Sequence, residues 1–247
     1  MKMLHVRKLL RNLALVTLLF AGPAGAEDDT RQVRSADSPA WLFAVGRLEI
    51  PGSRYESGRR QHHTETCSAT LLADSSEHGR PLLLTAWHCL EYYNDLSRPL
   101  TVTLNTQNGD THTREVFRLA DGGGMHADWA LLGLRGALPD PALPRIALLR
   151  GDAKAGQSVV MAGFSRDPGL GRHGKTLTYD PDCRITALAR FNTATNCRAH
   201  KGASGGAVIQ HDKNHQIYLA GVISEGDGDG YSAFVPVARF RSKLAAY

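Results

Sequence analysis

Three short segments of this 247-residue chain carry side chains suited to nucleophilic catalysis. They are Leu84-Thr85-Ala86-Trp87-His88-Cys89, Asp128-Trp129-Ala130-Leu131-Leu132 and Gly202-Ala203-Ser204-Gly205-Gly206. A serine hydroxyl is a poor nucleophile near neutral pH and needs a base within hydrogen-bond reach. An imidazole, with an ordinary pKa near ~6.5, can take and return that proton, which makes His88 the candidate base for Ser204. A carboxylate accepting from the other ring N–H fixes the tautomer and stabilises the imidazolium. Asp128 is the choice for that role over Asp110, Asp121 and Asp140, because an apolar β-like run follows it directly. Taken singly each segment says little. A histidine beside a cysteine is usually structural, an aspartate at a strand start is usually a turn former, and one Gly-x-Ser-x-Gly is a weak pattern. The argument lies in the three together.

The glycines around Ser204 fit the same chemistry. Acyl transfer places negative charge on the former carbonyl oxygen, and backbone N–H groups must converge on it without bulky side chains in the way. The Gly202 and Ser204 N–H groups are the candidate oxyanion donors.

The elements that must position these residues read as short strands: Trp41–Val45, Ser68–Leu72, Leu82–Thr85, Leu100–Leu104, Trp129–Leu134, Ser158–Ala162, Ala207–Ile209 and Leu219–Ile223. Gly, Pro, Asn and Asp clusters bound them, a pattern of sandwiches and barrels. Prolines 139, 141 and 144 cannot continue a central strand. Residues 139–144 are therefore expected to link two β domains, over 39–138 and 145–247. After Pro236, the spacing of Val237, Phe240 and Leu244 predicts a short C-terminal helix with Pro236 in its first turn.

The amino terminus reads as an export signal. Lys2, Arg7, Lys8 and Arg11 precede an apolar run from Leu13 to Phe20 and the small-residue site Ala24-Gly25-Ala26. The run is shorter than the ~20 residues that span a bilayer, and Pro23 interrupts it. Residues 1–26 are thus a signal peptide, and the polar stretch 27–38 a flexible lead or short pro-segment. The whole chain has 29 basic and 24 acidic residues, but four of the basic ones lie in the signal, which leaves 25 against 24. The apparent basicity belongs to the signal, and no nucleic-acid partner follows from it.

Four cysteines in an exported chain read as two disulfides, with three possible connectivities. Sequence order suggests Cys67–Cys89 and Cys183–Cys197. There is no C-x-x-C pair, which argues against a zinc site. His62 and His63 read as exposed loop residues. Asp227-Gly228-Asp229-Gly230 lacks the distal glutamate of a calcium loop and reads as a turn. No metal or cofactor is expected.

The histidine motif, Asp-x-Ala-Leu-Leu and Gly-x-Ser-Gly-Gly, in that order, resemble the chymotrypsin-like (trypsin-fold) serine peptidases over residues ~40–240, nearest their bacterial V8-like and lysyl-endopeptidase-like branches. The resemblance implies an all-β fold: two antiparallel six-stranded β-barrels packed together, the active site between them, and a short C-terminal helix. It implies a secreted or periplasmic serine endopeptidase working through an acyl-enzyme with a His88, Asp128, Ser204 triad. Such an enzyme is expected to be monomeric, to take protein or peptide substrates, and to leave the membrane once the signal is cleaved. Gly221-Val222-Ile223-Ser224-Glu225-Gly226 is similar to the family strand that pairs with substrate backbone, which makes Ser224 and Gly226 substrate-contacting positions. A Cys67–Cys89 bridge would tie His88 to the neighbouring strand, worth ~3 kcal/mol in the chain-entropy model, and Cys183–Cys197 would brace the loop leading to Ser204. Two departures stand out. Ala203 replaces the aspartate that pairs with a newly freed amino terminus in animal members, so that switch should be absent. Trp87 replaces the usual small residue before the histidine. Glu225, Asp227 and Asp229 suggest a mild preference for Lys or Arg at the cleaved position.

Two other functions compete. A catalytically degenerate trypsin-fold binding module would share the fold, and fold alone does not settle activity. A serine esterase of the α/β-hydrolase type would use the Gly202–Gly206 pattern as a nucleophile elbow. That fold orders its triad Ser, Asp, His on a strand–turn–helix, whereas here Ser204 comes last and Ala207–Gln210 reads as a strand.

Overall fold

A computed structural model describes residues 29–75, 79–91, 93–244 and 246–247. The signal peptide expected over 1–26 lies outside them. In chain order the elements are β1 (Gln32–Val33), a 3-10 turn (Ala40–Ala44), β2 (Val45–Glu56), β3 (Arg59–Ser75), β4 (Pro81–Thr85), α1 (Trp87–Glu91), β5 (Leu100–Asn105), β6 (Thr111–Asp121) and β7 (Ala130–Leu134). Then follow β8 (Ser158–Gly163), β9 (Thr178–Leu188), β10 (Thr193–Thr195), β11 (Ala207–His211), β12 (Ile217–Gly226), β13 (Ser232–Pro236), a 3-10 turn (Val237–Arg239) and α2 (Arg241–Leu244).

These strands close into two antiparallel barrels of six. The first runs β2-β3-β4-β7-β6-β5. The second runs β9-β10-β13-β12-β11-β8, closed by β8 on β9, with β1 added outside on β9. The sequence explains the layers. In β5 every second residue (Leu100, Val102, Leu104) is buried, the period of a half-buried strand. In β7 all five residues are buried, and in β4 all but the first, so they read as unbroken apolar runs. In this antiparallel plan Ser204 precedes the strand β11 rather than opening a helix, which removes the α/β-hydrolase reading.

The segment between the barrels stitches them together. The Ile146 N–H donates to Leu71 O (3.1 Å) and Ile146 O accepts from Ala73 N (2.9 Å), while the Leu149 N–H donates to Leu219 O (2.9 Å). At the carboxyl end, the fully buried Phe240 stacks on Trp129 with ring centroids 5.0 Å apart. A residue of the second barrel's tail thus clamps the neighbour of Asp128.

Three local expectations change. Trp41–Val45 is not a strand: Ala40–Ala44 form a 3-10 turn whose Trp41, Leu42, Phe43 and Ala44 are all buried. A continuous apolar run carries no periodicity to separate the two forms. Pro236 ends β13, with φ −65° and ψ 140°, and precedes the 3-10 turn, so the helix begins only at Arg241. Within the stretch 27–38, read as a flexible lead or short pro-segment, a two-residue strand lies along the second barrel. Gln32 and Val33 pair with Tyr179 and Thr178, and Arg31 is 6 % exposed. The neighbours of Arg31 stay exposed, and the buried Arg31 is ion-paired with Asp29 and Asp167.

Candidate active site

His88 stands on α1, the single turn that follows the central strand β4, and Cys89 beside it is bridged to Cys67 on β3. Asp128 lies two residues before β7, the strand hydrogen-bonded to β4. Adjacent strands therefore deliver the imidazole and the carboxylate to one place. The carboxylate is fully buried and grips its neighbour twice: the His88 backbone N–H donates to Oδ1 (2.8 Å), and His88 Nδ1 lies 2.8 Å from Oδ2. A third donor, the Ser224 hydroxyl, reaches Oδ2 at 2.5 Å. A buried carboxylate needs such donors to remain charged. A neutral ring that donates from Nδ1 to Asp128 carries its lone pair on Nε2.

Ser204 sits in the turn before β11. Its Oγ contacts the Ser224 carbonyl at 3.4 Å. Cys89 Sγ lies 4.0 Å from His88 Nε2 and 3.8 Å from the Ser204 carbonyl oxygen, which places serine and imidazole in one neighbourhood. Among the described residues no hydrogen bond joins Ser204 Oγ to His88; the hydroxyl instead donates to the Ser224 carbonyl at 3.4 Å. Catalytic hydrogen bonds commonly tighten only when substrate is bound.

The turn itself is pinned by its carbonyls. Lys201 O accepts from Arg166 N (2.7 Å), Ala203 O from Gly206 N (2.9 Å) and Ser204 O from Ser68 N (2.8 Å). Gly202 O accepts from Ser68 Oγ (3.0 Å). In a trans peptide the N–H points opposite to the C=O. Holding the Lys201 and Ala203 carbonyls therefore turns the Gly202 and Ser204 N–H groups the other way. Neither N–H donates to another group among the described residues. The glycines are required by this turn. Gly202 has φ +97°, and a Cβ there would lie 2.6 Å from Phe164 O; Gly205 has φ +82°, and its Cβ would lie 2.1 Å from Ser68 O.

One site residue, Ser68, carries no signal of its own in the sequence, and another, Ser224, takes a role other than the one expected. Ser68 is fully buried and joins the two barrels: besides its bonds to Gly202 and Ser204, its Oγ accepts from Phe164 N (2.8 Å) and its carbonyl from Thr85 Oγ1 (2.8 Å). The only hint is a polar residue within the apolar run Cys67–Leu72. Ser224, expected to touch substrate, turns its side chain to Asp128. It lies where the β12–β13 register slips between Ile223 and Glu225, and such bulges re-aim side chains. Gly226 is packed against the Ala199 carbonyl, which a Cβ would approach to 2.2 Å. Ala203 is buried among Val159, Met161, Ile223 and Phe234, apolar surroundings in which an acid would lack a partner.

The remaining candidates are structural. Cys67, His88 and Cys89 cluster within 4.8 Å, but both sulfurs form a disulfide and offer no thiolate to a metal. Cys183 and Cys197 form the second bridge. His62 Nδ1 meets Asp95 at 2.8 Å. Asp227 Oδ1 accepts from the N–H groups of Asp229 (2.7 Å) and Tyr231 (3.1 Å). The Asp229 and Tyr231 N–H groups hold its carboxyl below the usual carboxylate range, as in an Asx-type turn.

The model of the trypsin-like peptidase domain matches residues 67–217, more than half of the chain. No curated protein matches it. Among solved structures, the active form of the Rv3671c protease from M. tuberculosis is similar with a TM-score of 0.56 and 18 % identity, over 84 % of this chain and 82 % of that one. The serine endoprotease from Yersinia pestis gives 0.54 and 20 %, over 83 % of this chain and 63 % of that one. At these identities the likeness is one of fold. Twin barrels, the buried Asp128–His88 pair facing the Ser204 turn, and the match to the peptidase domain agree: the chain belongs to the trypsin-like peptidase family of serine proteases.

Proposed function

We propose that this protein is an exported endopeptidase in which Ser204, His88 and Asp128 form the catalytic triad. Ser204 Oγ attacks the scissile carbonyl carbon while His88 Nε2 takes its proton. The carbonyl π electrons move to oxygen, and the Gly202 and Ser204 N–H groups receive the anion. Collapse of the tetrahedral intermediate expels the amine, which takes the proton from His88 and leaves an acyl-serine. A water, deprotonated by the same nitrogen, repeats the sequence and releases the acid. Asp128 stays ionised throughout and stabilises the imidazolium.

The observation that carries this reading is the double grip of a fully buried Asp128 on the His88 backbone and Nδ1. Holding a carboxylate out of water is costly unless its donors are fixed, and here the fixed partner is the ring that must carry charge. Two disulfides fit an oxidising compartment outside the cytoplasm. No helix among the described residues is long and apolar enough to cross a membrane.

A fluorophosphonate probe tests the reading. The expected result is covalent labelling of Ser204 in the bridged protein, lost in Ser204→Ala. An unlabelled, correctly folded protein points instead to a binding module. Cleavage of a peptide library then tests the anionic rim of Glu225, Asp227 and Asp229, in which Glu225 also accepts from Asn192 Nδ2 (2.8 Å) and Asp227 from the Asp229 N–H (2.7 Å). A profile without Lys or Arg at the cleaved position removes that part of the proposal.

A further inference from the structure

A nearly buried guanidinium beside the second barrel belongs to neither the proposed triad nor its immediate supports. The Arg31 side chain is 3 % exposed. Its Nε and Nη2 bind Asp29 in bidentate fashion (3.0 and 2.7 Å), and its Nη1 binds Asp167 (2.8 Å). A buried cation is tolerated only with such partners, and losing one leaves an uncompensated charge.

Its partners lead to the nucleophile turn by two routes. Asp167 follows Arg166, whose N–H holds Lys201 O at 2.7 Å and whose Cγ would lie 2.7 Å from a Cβ on Gly202. Asp167 is itself set by the Gly171 N–H at Oδ2 (3.1 Å) and the His173 N–H at its carbonyl (2.9 Å). On the other flank, Thr30 Oγ1 donates to Asp180 Oδ1 (3.2 Å), and Asp180 Oδ2 accepts from Arg198 N (2.9 Å). Thr30 and Arg31 therefore hold, through one carboxylate each, the two ends of the stretch 198–202. Strand β1 and the Gln32 Oε1 to Tyr179 hydroxyl bond (2.6 Å) fasten the segment to β9.

We propose that residues 29–33 are a permanent clasp on the nucleophile turn, with Arg31 and Thr30 as positioning residues that orient the Gly202 and Ser204 N–H groups, rather than a lead to be discarded. In its catalytic consequence the proposal rests on the peptidase reading above. Nothing at position 203 can do this work, because Ala203 has no charge to offer an amino terminus. The clasp acts from further back, through Asp167 and Asp180. Burial opposes ionisation of Asp167, but the Arg31 and Gly171 hydrogen bonds outweigh it and hold its carboxyl below the usual range.

The test uses the processed protein and its variants Arg31→Ala, Arg31→Lys and Thr30→Val. Two readouts are taken below the melting temperature: amide hydrogen exchange of the 198–206 segment, and kcat and KM on one peptide substrate with fluorophosphonate labelling rates. Misplacing one oxyanion donor is expected to lower kcat of Arg31→Ala by about 30–100-fold with KM changed less than about threefold. Exchange in 198–206 should rise. Arg31→Lys should recover part of both effects, and Thr30→Val should show a smaller loss of the same kind. If Arg31→Ala does not fold, Thr30→Val and Arg31→Lys carry the test. Parent-like exchange and kcat in the folded variants overturn the clasp, as does a lowered melting temperature with both unchanged. A parent protein that is neither labelled nor active, yet shows the exchange response, sinks the peptidase reading and leaves the clasp standing.

Discussion

The two halves of the catalytic cleft are held by different means. On the first barrel, His88 and Asp128 come from hydrogen-bonded neighbours β4 and β7, and their side chains bond directly to each other. The base is set by local geometry, with one outside donor, Ser224. On the second barrel the Ser204 hydroxyl makes only a 3.4 Å contact, while four successive carbonyls of its turn are fastened from behind by Arg166, Ser68 and Gly206. His88 is held by a carboxylate that grips both its backbone N–H and its Nδ1, and the Ser204 turn is held by its carbonyls. The difference fits the proposed triad, in which the imidazole keeps one tautomer while the serine hydroxyl moves between base and substrate and its N–H stays aimed at the oxyanion.

Variants can break this contrast, and the expected effects run from large to small. Ser204→Ala removes the nucleophile and should cut kcat by on the order of 10⁶ with an unchanged thermal midpoint, leaving residual catalysis from the oxyanion donors. Asp128→Asn keeps the shape but loses the charge and favours the wrong tautomer. Turnover should fall by about 10⁴, measured on the same substrate. Ser68→Ala leaves the buried Gly202 carbonyl and Phe164 N–H without a partner. Chemical denaturation should show a loss of about 1–3 kcal/mol, and labelling of Ser204 should slow while the His88–Asp128 pair is untouched. Ser224→Ala removes one of three donors to Asp128, with an expected loss of about 1.5–3 kcal/mol in stability and a milder fall in kcat. An equal fall in turnover for Ser68→Ala and Ser224→Ala would erase the distinction between the halves.

The smallest effect is a pH dependence of the clasp. The Asp29 carboxyl is held below its usual value chiefly by the Arg31 hydrogen bond, and Asp167 also lies low because Arg31 and Gly171 outweigh its burial. A carboxyl depressed in the folded state stabilises it above the unfolded pKa, and that contribution disappears as pH falls through the folded value. Thermal midpoints should therefore drop on acidification below about pH 4, less steeply in Arg31→Ala. Identical slopes would mean these carboxylates do not sense Arg31.

Particular residues show what was legible from sequence. His88, Asp128 and Ser204 could be chosen because each lies in a motif whose neighbours constrain it: Cys89, an apolar strand, and glycines with no room for a side chain. The cysteine pairing followed sequence order, and β4, β5, β7 and β11 announced themselves by apolar runs or alternation. Strand β6, Thr111–Asp121, did not, because only Val116 in it is buried. Ser68, Arg31 and Asp167 were invisible for a different reason. Their partners are distant in the chain, 134 residues from Ser68 to Gly202 and 136 from Arg31 to Asp167, and an isolated serine, arginine or aspartate has no local pattern.

By itself, then, the sequence determined the chemical groups, their order and the local conformations that glycine, cysteine and apolar periodicity enforce, because those depend on covalent neighbours. Tertiary structure alone decided which carbonyls are held, which hydroxyl turns toward Asp128, and that Arg31, in a polar and otherwise mostly exposed amino-terminal stretch, is buried between two carboxylates. Those outcomes depend on which groups lose water together, and that is set by how two barrels close and pack rather than by any stretch of chain.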